Sequence, residues 1–172
     1  MLRRRCRLRF EDDTFPHAKR QSLLDADTDF CPPVWNAVME LGLAGLMVPE
    51  SRGGSGLGVV DAALAAEALG QEAAPGAIVP HMLATYAIAQ AAPDHVRDRW
   101  LDDLLAGRAR ATLAIDDAWL PEAWKSRRQD AAVDCTLPLV PGADVADLFV
   151  WACWAGSWCS PNATSRTSTF PE

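Results

Sequence analysis

The sequence predicts a mainly α protein, a helical-bundle unit followed by an incomplete β segment. Two observations carry that expectation. Between residues 32 and 107, apolar residues recur at helical spacing in successive runs closed by glycine or proline. Beyond residue 110 the pattern changes to short apolar stretches separated by turn residues, which is the signature of strands. The 172-residue length suffices for one core without disulfide or metal staples.

Residues 1–30 are charged and lack sustained periodicity, so they predict a poorly ordered lead-in with at most one short helix near residues 19–24. Its basic cluster, Arg3-Arg4-Arg5-Cys6-Arg7-Leu8-Arg9, resembles the first part of a signal peptide. It runs into Phe10-Glu11-Asp12-Asp13 without an apolar stretch, which favours a solvated tail over a targeting or RNA-binding arm. The ordered chain is expected to begin at Cys31-Pro32-Pro33, because proline at the first helical position loses no hydrogen bond. Val34, Ala37, Val38 and Leu41 follow at helical spacing, and Gly42 is the expected stop.

Residues 43–48, Leu-Ala-Gly-Leu-Met-Val, are too few for a helix and too apolar to be exposed. After a glycine-rich loop, Val60, Ala63, Leu64, Glu67 and Ala68 mark a second helix ending at Gly70. A third, over residues 81–92, carries Leu83, Ala84, Ala87 and Ile88 on one side and Met82, Tyr86 and Ala89 on the other, so most of its surface is expected to be buried. A fourth follows Pro93, with Asp94 as expected cap, an apolar face of Val96, Trp100, Leu101, Leu104 and Leu105, and Gly107 as terminator. Strands are expected over residues 111–115, 132–140 and 148–151, with a turn at Pro141-Gly142. From residue 156 the sequence is polar and aperiodic. The division this implies is a lead-in (1–30), a helical domain (31–109), a partial β domain (110–155) and a disordered tail (156–172). Two or three strands do not make an independent sheet, so the β segment should pack on a partner or belong to something longer.

Composition narrows the function classes. A hydrophobic share of 49% with 23% charged residues is that of a soluble protein, and no window approaches the roughly 20 apolar residues of a membrane span. The net charge of -7 argues against broad binding to nucleic acid or anionic membranes. Five cysteines without a paired spacing fit reduced thiols and a cytoplasmic location. The triplet Asn162-Ala-Thr164 matches a glycosylation acceptor, which means little without an export signal.

The loop at residues 48–58, Val-Pro-Glu-Ser-Arg-Gly-Gly-Ser-Gly-Leu-Gly, could be a phosphate cradle, a nucleophile elbow or a connector. Gly54, Gly56 and Gly58 miss the dinucleotide spacing by one place, no lysine follows for a P-loop, and Leu57 stands where the elbow needs glycine. A connector is the reading that remains. His17, His81 and His95 have no metal-ligand spacing and are expected at the surface or in packing, so no metal site is expected. Asp102-Asp103 and Asp116-Asp117 are adjacent and diverge, which suits solvated carboxylates. Trp119, Trp124, Trp151, Trp154 and Trp158 are read as packing residues rather than a stacking platform.

A larger pattern joins these pieces. Residues 35–58, then Glu67-Ala-Leu-Gly70, then Arg99-Trp-Leu101 and Leu105-Ala-Gly107, resemble in order and spacing the N-terminal helical domain of the acyl-CoA dehydrogenase family. That family's usual form is Leu-Gly-x-x-Gly-Leu-x-Val-Pro-Glu, a Gly-Gly-x-Gly loop, a Glu-x-Leu-Gly helix end and a Trp-Leu-x-x-Leu-x-x-Gly helix. Residues 140–150, with Ala146-Asp147 opening a strand, look like the start of its middle β domain.

The resemblance implies an FAD enzyme that oxidises acyl-CoA thioesters to 2-enoyl-CoA. A carboxylate removes the α proton while the β hydrogen leaves as hydride to the flavin. It further implies an acyl-CoA substrate, an electron-transfer acceptor, and a homo-oligomer or a C-terminal partner. The family's glutamate base sits in a C-terminal helical domain beyond this chain, so the catalytic residue here is unknown. By register Leu113, Ile115 and Asp116 would lie nearest the flavin, although residues 116–121, Asp-Asp-Ala-Trp-Leu-Pro, stand where the family has Thr-Glu-Pro and a Gly-Ser-Asp turn. Three readings stay open: a truncated dehydrogenase inactive alone, one half of a split dehydrogenase, and a non-catalytic helical assembly module.

Overall fold

The computed structural model describes residues 30–74, 76–114, 127–129, 132–134 and 140–151, with only the backbone of 127–129, 132–134 and Trp151. Residues 1–29 of the expected lead-in, residues 115–126 and the tail lie outside this set. Helix α1 is Pro32–Glu40, α2 Val59–Gln71, α3 Ile78–Ala91 and α4 Asp94–Leu105. Strands β1, Ala111–Ala114, β2, Arg127–Gln129, β3, Ala132–Asp134, and β4, Leu148–Trp151, follow. The architecture is mainly α with a short β segment.

Helix α1 begins with Pro32 inside its first turn and stops where Gly42 takes a φ of 76°, a left-handed value that glycine adopts without Cβ strain. Residues 43–48 are all buried, beginning with a single 3-10 turn, Leu43–Gly45. Helix α3 starts three residues before the expected His81. Pro80 falls in the first turn, where its missing N–H has no intrahelical acceptor to lose, so the proline does not delimit the helix.

Helix α3 is the central element. It packs against α4, the Leu43–Gly45 turn, β1 and β4, and Ile78, His81, Met82, Ala84, Thr85, Ile88 and Ala89 are all buried. One core region joins α1, residues 43–47, the inner face of α2 and the start of α3. A second joins the end of α3 to Val96, Leu104, Ala111, Leu148 and Val150, and a third links Val48, Ala89 and Leu101.

Of the residues that mark the second helix, Ala68 is buried and Val60, Ala63, Leu64 and Glu67 are exposed. Ala62, Ala65, Ala68 and Leu69 are buried, while Val59 and Val60 are each 73% exposed and Leu64 41% exposed. Because the inner face is alanine-rich, α2 can lie close to its neighbours, and its bulkier side chains point outward. Gly70 lies within the helix, which ends one residue later at Gln71.

Asp94 is the first residue of α4 rather than its cap. Its carboxylate pairs with Arg97, whose guanidinium also donates to the Ala92 carbonyl, and Pro93 holds the cap position without a side-chain bond. Asp94 still meets the positive end of the helix dipole. Gly107 ends the helix region at a φ of 69° with Met39 packed against it; a Cβ there would come within 2.2 Å of Met39 Cγ.

The described strands form two pairs. β1 and β4 are parallel, with Ala111 opposite Leu148 and Ala114 opposite Trp151. β2 and β3 are antiparallel, with Arg127 opposite Asp134. The sequence showed no sign of β2. Only Ala132–Asp134 of the expected strand over residues 132–140 is a described strand, residues 135–139 lying outside the described set.

Candidate functional site

The glycine-rich loop is tied off internally. The amides of Arg52, Gly53 and Gly54 donate to Pro49, Glu50 and Pro49, and those of Ser55, Gly56 and Leu57 donate to the carbonyls of Gly45, Val48 and Leu46. The Gly58 amide donates to Asp61 Oδ2 at 3.2 Å. A phosphate cradle works by presenting unpaired amides, and here seven consecutive amides, Arg52 to Gly58, are already spent. Gly54 is required by close approach, since a Cβ would sit 2.1 Å from the Val48 carbonyl oxygen. The Arg52 guanidinium reaches the Ala89 carbonyl and so ties the loop to α3.

The region of interest is where the bundle meets the parallel pair. Parallel pairing sends both strands toward one edge, ending at Ala114 and Trp151. At the opposite end the strands start from an ionic clamp. Arg110 donates from Nε to Asp147 Oδ2 at 3.0 Å and from Nη2 to Oδ1 at 3.1 Å, and its amide donates to Oδ2 at 2.9 Å. The Asp147 and Leu148 amides return bonds to the Arg110 carbonyl. The guanidinium beside it holds the Asp147 carboxyl below the usual carboxylate range, and the carboxylate raises Arg110. Arg110 also lies over the Phe30 ring, 5.3 Å from its centre.

Behind the clamp, the connector from α4 to β1 is gripped by two aromatic side chains. Trp35 Nε1 donates to the Gly107 carbonyl at 3.0 Å. His81, fully buried, lies against Trp35 with ring centres 4.8 Å apart, and both its nitrogens are engaged. The Ala111 amide donates to Nδ1 at 3.0 Å, and Nε2 lies 3.0 Å from the Leu104 carbonyl. An amide donates only to an unprotonated ring nitrogen, so Nε2 carries the proton and the ring is neutral. Burial pushes His81 down to about 4, against the Leu104 carbonyl, which favours the charged form.

Of the residues expected nearest a flavin, Leu113 is partly buried and packs against the core of α3, α4 and β4. Ile115 and Asp116 lie outside the described residues. The Thr112 hydroxyl is committed to the Pro141 carbonyl at 2.6 Å. The Thr112 hydroxyl and the glycine-loop amides are thus already bonded, and the Leu113 side chain offers apolar contact. Among the described residues no group of three His, Cys, Asp or Glu side chains could hold a metal, and His95 is exposed. His81 is a packing residue, as the sequence suggested, but its bonds to α4 and β1 had no signal there, because its partners are main-chain groups that any residue would present. His17, the Asp116-Asp117 pair and the side chains of the late tryptophans lie outside the described residues.

Residues 1–108 match the family described as acyl-CoA dehydrogenase, N-terminal domain. Among solved structures, a variant of the Tcur3481-Tcur3483 steroid ACAD is similar with a TM-score of 0.74 at 24% identity, over 87% of this chain and 43% of that one. A Mycobacterium smegmatis protein assigned to the acyl-CoA dehydrogenases is similar with a TM-score of 0.63 at 22% identity, over 91% of this chain and 43% of that one. The chain thus spans less than half the length of the solved chains it matches. No curated protein matches the sequence.

Proposed function

As this chain belongs to the acyl-CoA dehydrogenase family, we propose that it supplies the N-terminal helical domain and the first strands of the cofactor-facing β domain of an enzyme that oxidises acyl-CoA to 2-enoyl-CoA with FAD. The carrying observation is the family match over residues 1–108, continued by a parallel strand pair docked on α3. FAD, when bound, would accept the hydride from the substrate's β carbon. Leu113, Ile115 and Asp116, leading off the end of β1, are the residues of this chain proposed to lie nearest it. The isolated chain is proposed to be inactive, since its described residues complete neither a cofactor site nor a catalytic base. A cytoplasmic location belongs to the same proposal; no helix among the described residues is long and apolar enough to cross a membrane.

The purified chain should be colourless and, after incubation with FAD, should leave gel filtration without bound flavin. A visible flavin spectrum that survives gel filtration would show that it holds cofactor unaided and would remove the first ground for the proposed inactivity.

A second reading, in which this chain works with a separate C-terminal partner, is favoured by one observation. Leu57, Val59, Val60 and Leu64 around α2, with Leu83 of α3, are large apolar side chains left exposed. In this reading the third helix and the strands were expected to carry the interface; among the described residues Leu83 is α3's share of the exposed apolar side chains, and α2 carries most. Co-expression with a segment bearing the remaining helices should restore flavin binding and turnover in an electron-acceptor assay, and failure of both would remove this reading.

A further inference from the structure

The contacts of His81 have a consequence independent of any cofactor. Among the described residues, this ring is the one side chain that bonds both the last turn of α4 and the first residue of β1 while standing on α3. We propose that His81 is an acid-sensitive latch: the neutral ring fastens β1 to the bundle, and protonation releases the β1–β4 pair while the helices stay folded.

The chemistry at Nδ1 makes the response steep. A neutral ring accepts the Ala111 N–H; a protonated ring presents a second N–H to it, so the bond becomes a repulsion and the buried amide loses its partner. The Leu104 carbonyl keeps its donor in both forms, so the loss falls on the strand side. Around the ring, α1 presents Trp35, α4 the Leu104 carbonyl and β1 the Ala111 amide. Burial and main-chain bonds govern its protonation, with no side-chain charge among the described residues to offset them. The ionised pairs on the flanking residues, Asp103 with Arg108 and Arg110 with Asp147, are bonded to each other at the surface. Burial holds His81 at about 4 against an ordinary 6.5, so a state that wets the ring gains protons the closed state refuses.

The release is local because the core of α1, residues 43–47, α2 and early α3 includes neither β1 nor β4. The second core region, which does include both, loosens at its strand side. The Arg110–Asp147 clamp does not prevent it. Its ion pair joins β1 to β4, and Arg110 touches the helical side through the exchangeable contact of its guanidinium with the Phe30 ring, so the two strands leave as a pair.

The test is amide hydrogen exchange on the whole chain from pH 7.5 to 5, expressed as protection relative to the unstructured rate at each pH. With the ring at about 4 when closed and 6.5 when open, protection of Ala111 and its strand neighbours should fall by about thirtyfold by pH 5. The amides of α1 and α4 should stay more protected than the strand amides at every pH, losing protection only with the stability of the whole chain. In His81→Gln, whose carboxamide can accept from Ala111 and donate to Leu104 but does not titrate, the acid-driven loss at the strands should vanish. Strand amides as well protected as those of α1 and α4 across this range, or the same acid response in the Gln variant, would overturn the latch. Should that variant not fold, the imidazole nitrogen shifts of the unaltered protein decide: the ring must gain its proton in step with strand release, and a ring that stays neutral while the strands open sinks the proposal.

Discussion

The indole Nε1 of Trp35 donates to the carbonyl of Gly107 across a sequence separation of 72 residues, joining the first described helix to the connector that leads into β1. Removing that donor with Trp35→Phe leaves the carbonyl unpaired in a partly buried position and opens space beside His81. The loss should be about 2 kcal/mol, seen as a lower urea midpoint at unchanged slope. A change under about 0.5 kcal/mol would mean the bond contributes nothing beyond ring packing.

The glycine-rich loop offers a sharper contrast. Gly54→Ala drives a methyl group into the Val48 carbonyl, which is backbone and has no rotamer to yield. The expected cost is about 3 kcal/mol, at the upper end for overpacking. Gly58→Ala, whose added methyl group would meet only Asp61 Oδ2 at 3.9 Å, should cost far less. Equal stability of the two variants in thermal melts would refute the close-approach reading.

Stability should fall on acidification through His81. Its folded value of about 4 lies below the ordinary 6.5, so the unfolded chain binds the proton first. The contribution is complete above pH 6.5 and is lost as pH drops from there through about 4. The full span corresponds to about 3 kcal/mol. Denaturant midpoints measured from pH 7.5 to 4 should follow this curve, and in His81→Gln the portion between pH 6.5 and 5 should flatten.

The Arg110–Asp147 clamp should matter less than its geometry suggests. Both side chains are more than a quarter exposed, at 33% and 41%. Solvent screening limits their coupling in a double-mutant cycle to about 1 kcal/mol. Asp147 titrates low, so this contribution is present above the ordinary carboxylate range and disappears only as pH falls below it. A coupling above about 2 kcal/mol would show the pair to be shielded.

Helix α2 offers a two-sided comparison. Val60→Lys, on the outward face, should leave stability within about 0.5 kcal/mol, whereas Ala65→Leu on the inward face should cost about 1 to 3 kcal/mol. If Val60→Lys destabilises the isolated chain by as much, the exposed face is already covered within it.

The features legible in the sequence were those written in local backbone rules. Pro32 and Gly42 bounded α1 because proline loses nothing in a first turn and glycine accepts positive φ. The glycine loop failed the phosphate and nucleophile templates on spacing alone, and its spent amides exclude a phosphate cradle on geometry as well. The order of those signals also carried the family. The inner face of α2 was not legible, because alanine and valine both fit a helical period and only the neighbouring helices select which side can approach closely.

What the sequence by itself determined, then, was the succession of helices, the bounds of α1 and the family the chain belongs to, since each depends on residues within a few positions of one another. The tertiary structure alone decided the parallel pairing of Ala111 with Leu148, the Arg110–Asp147 clamp, and the burial of a neutral His81 between α4 and β1. Those join groups 23 to 37 residues apart, and the pairing and the His81 bonds run to main-chain atoms that every residue carries, so no side-chain pattern could announce them.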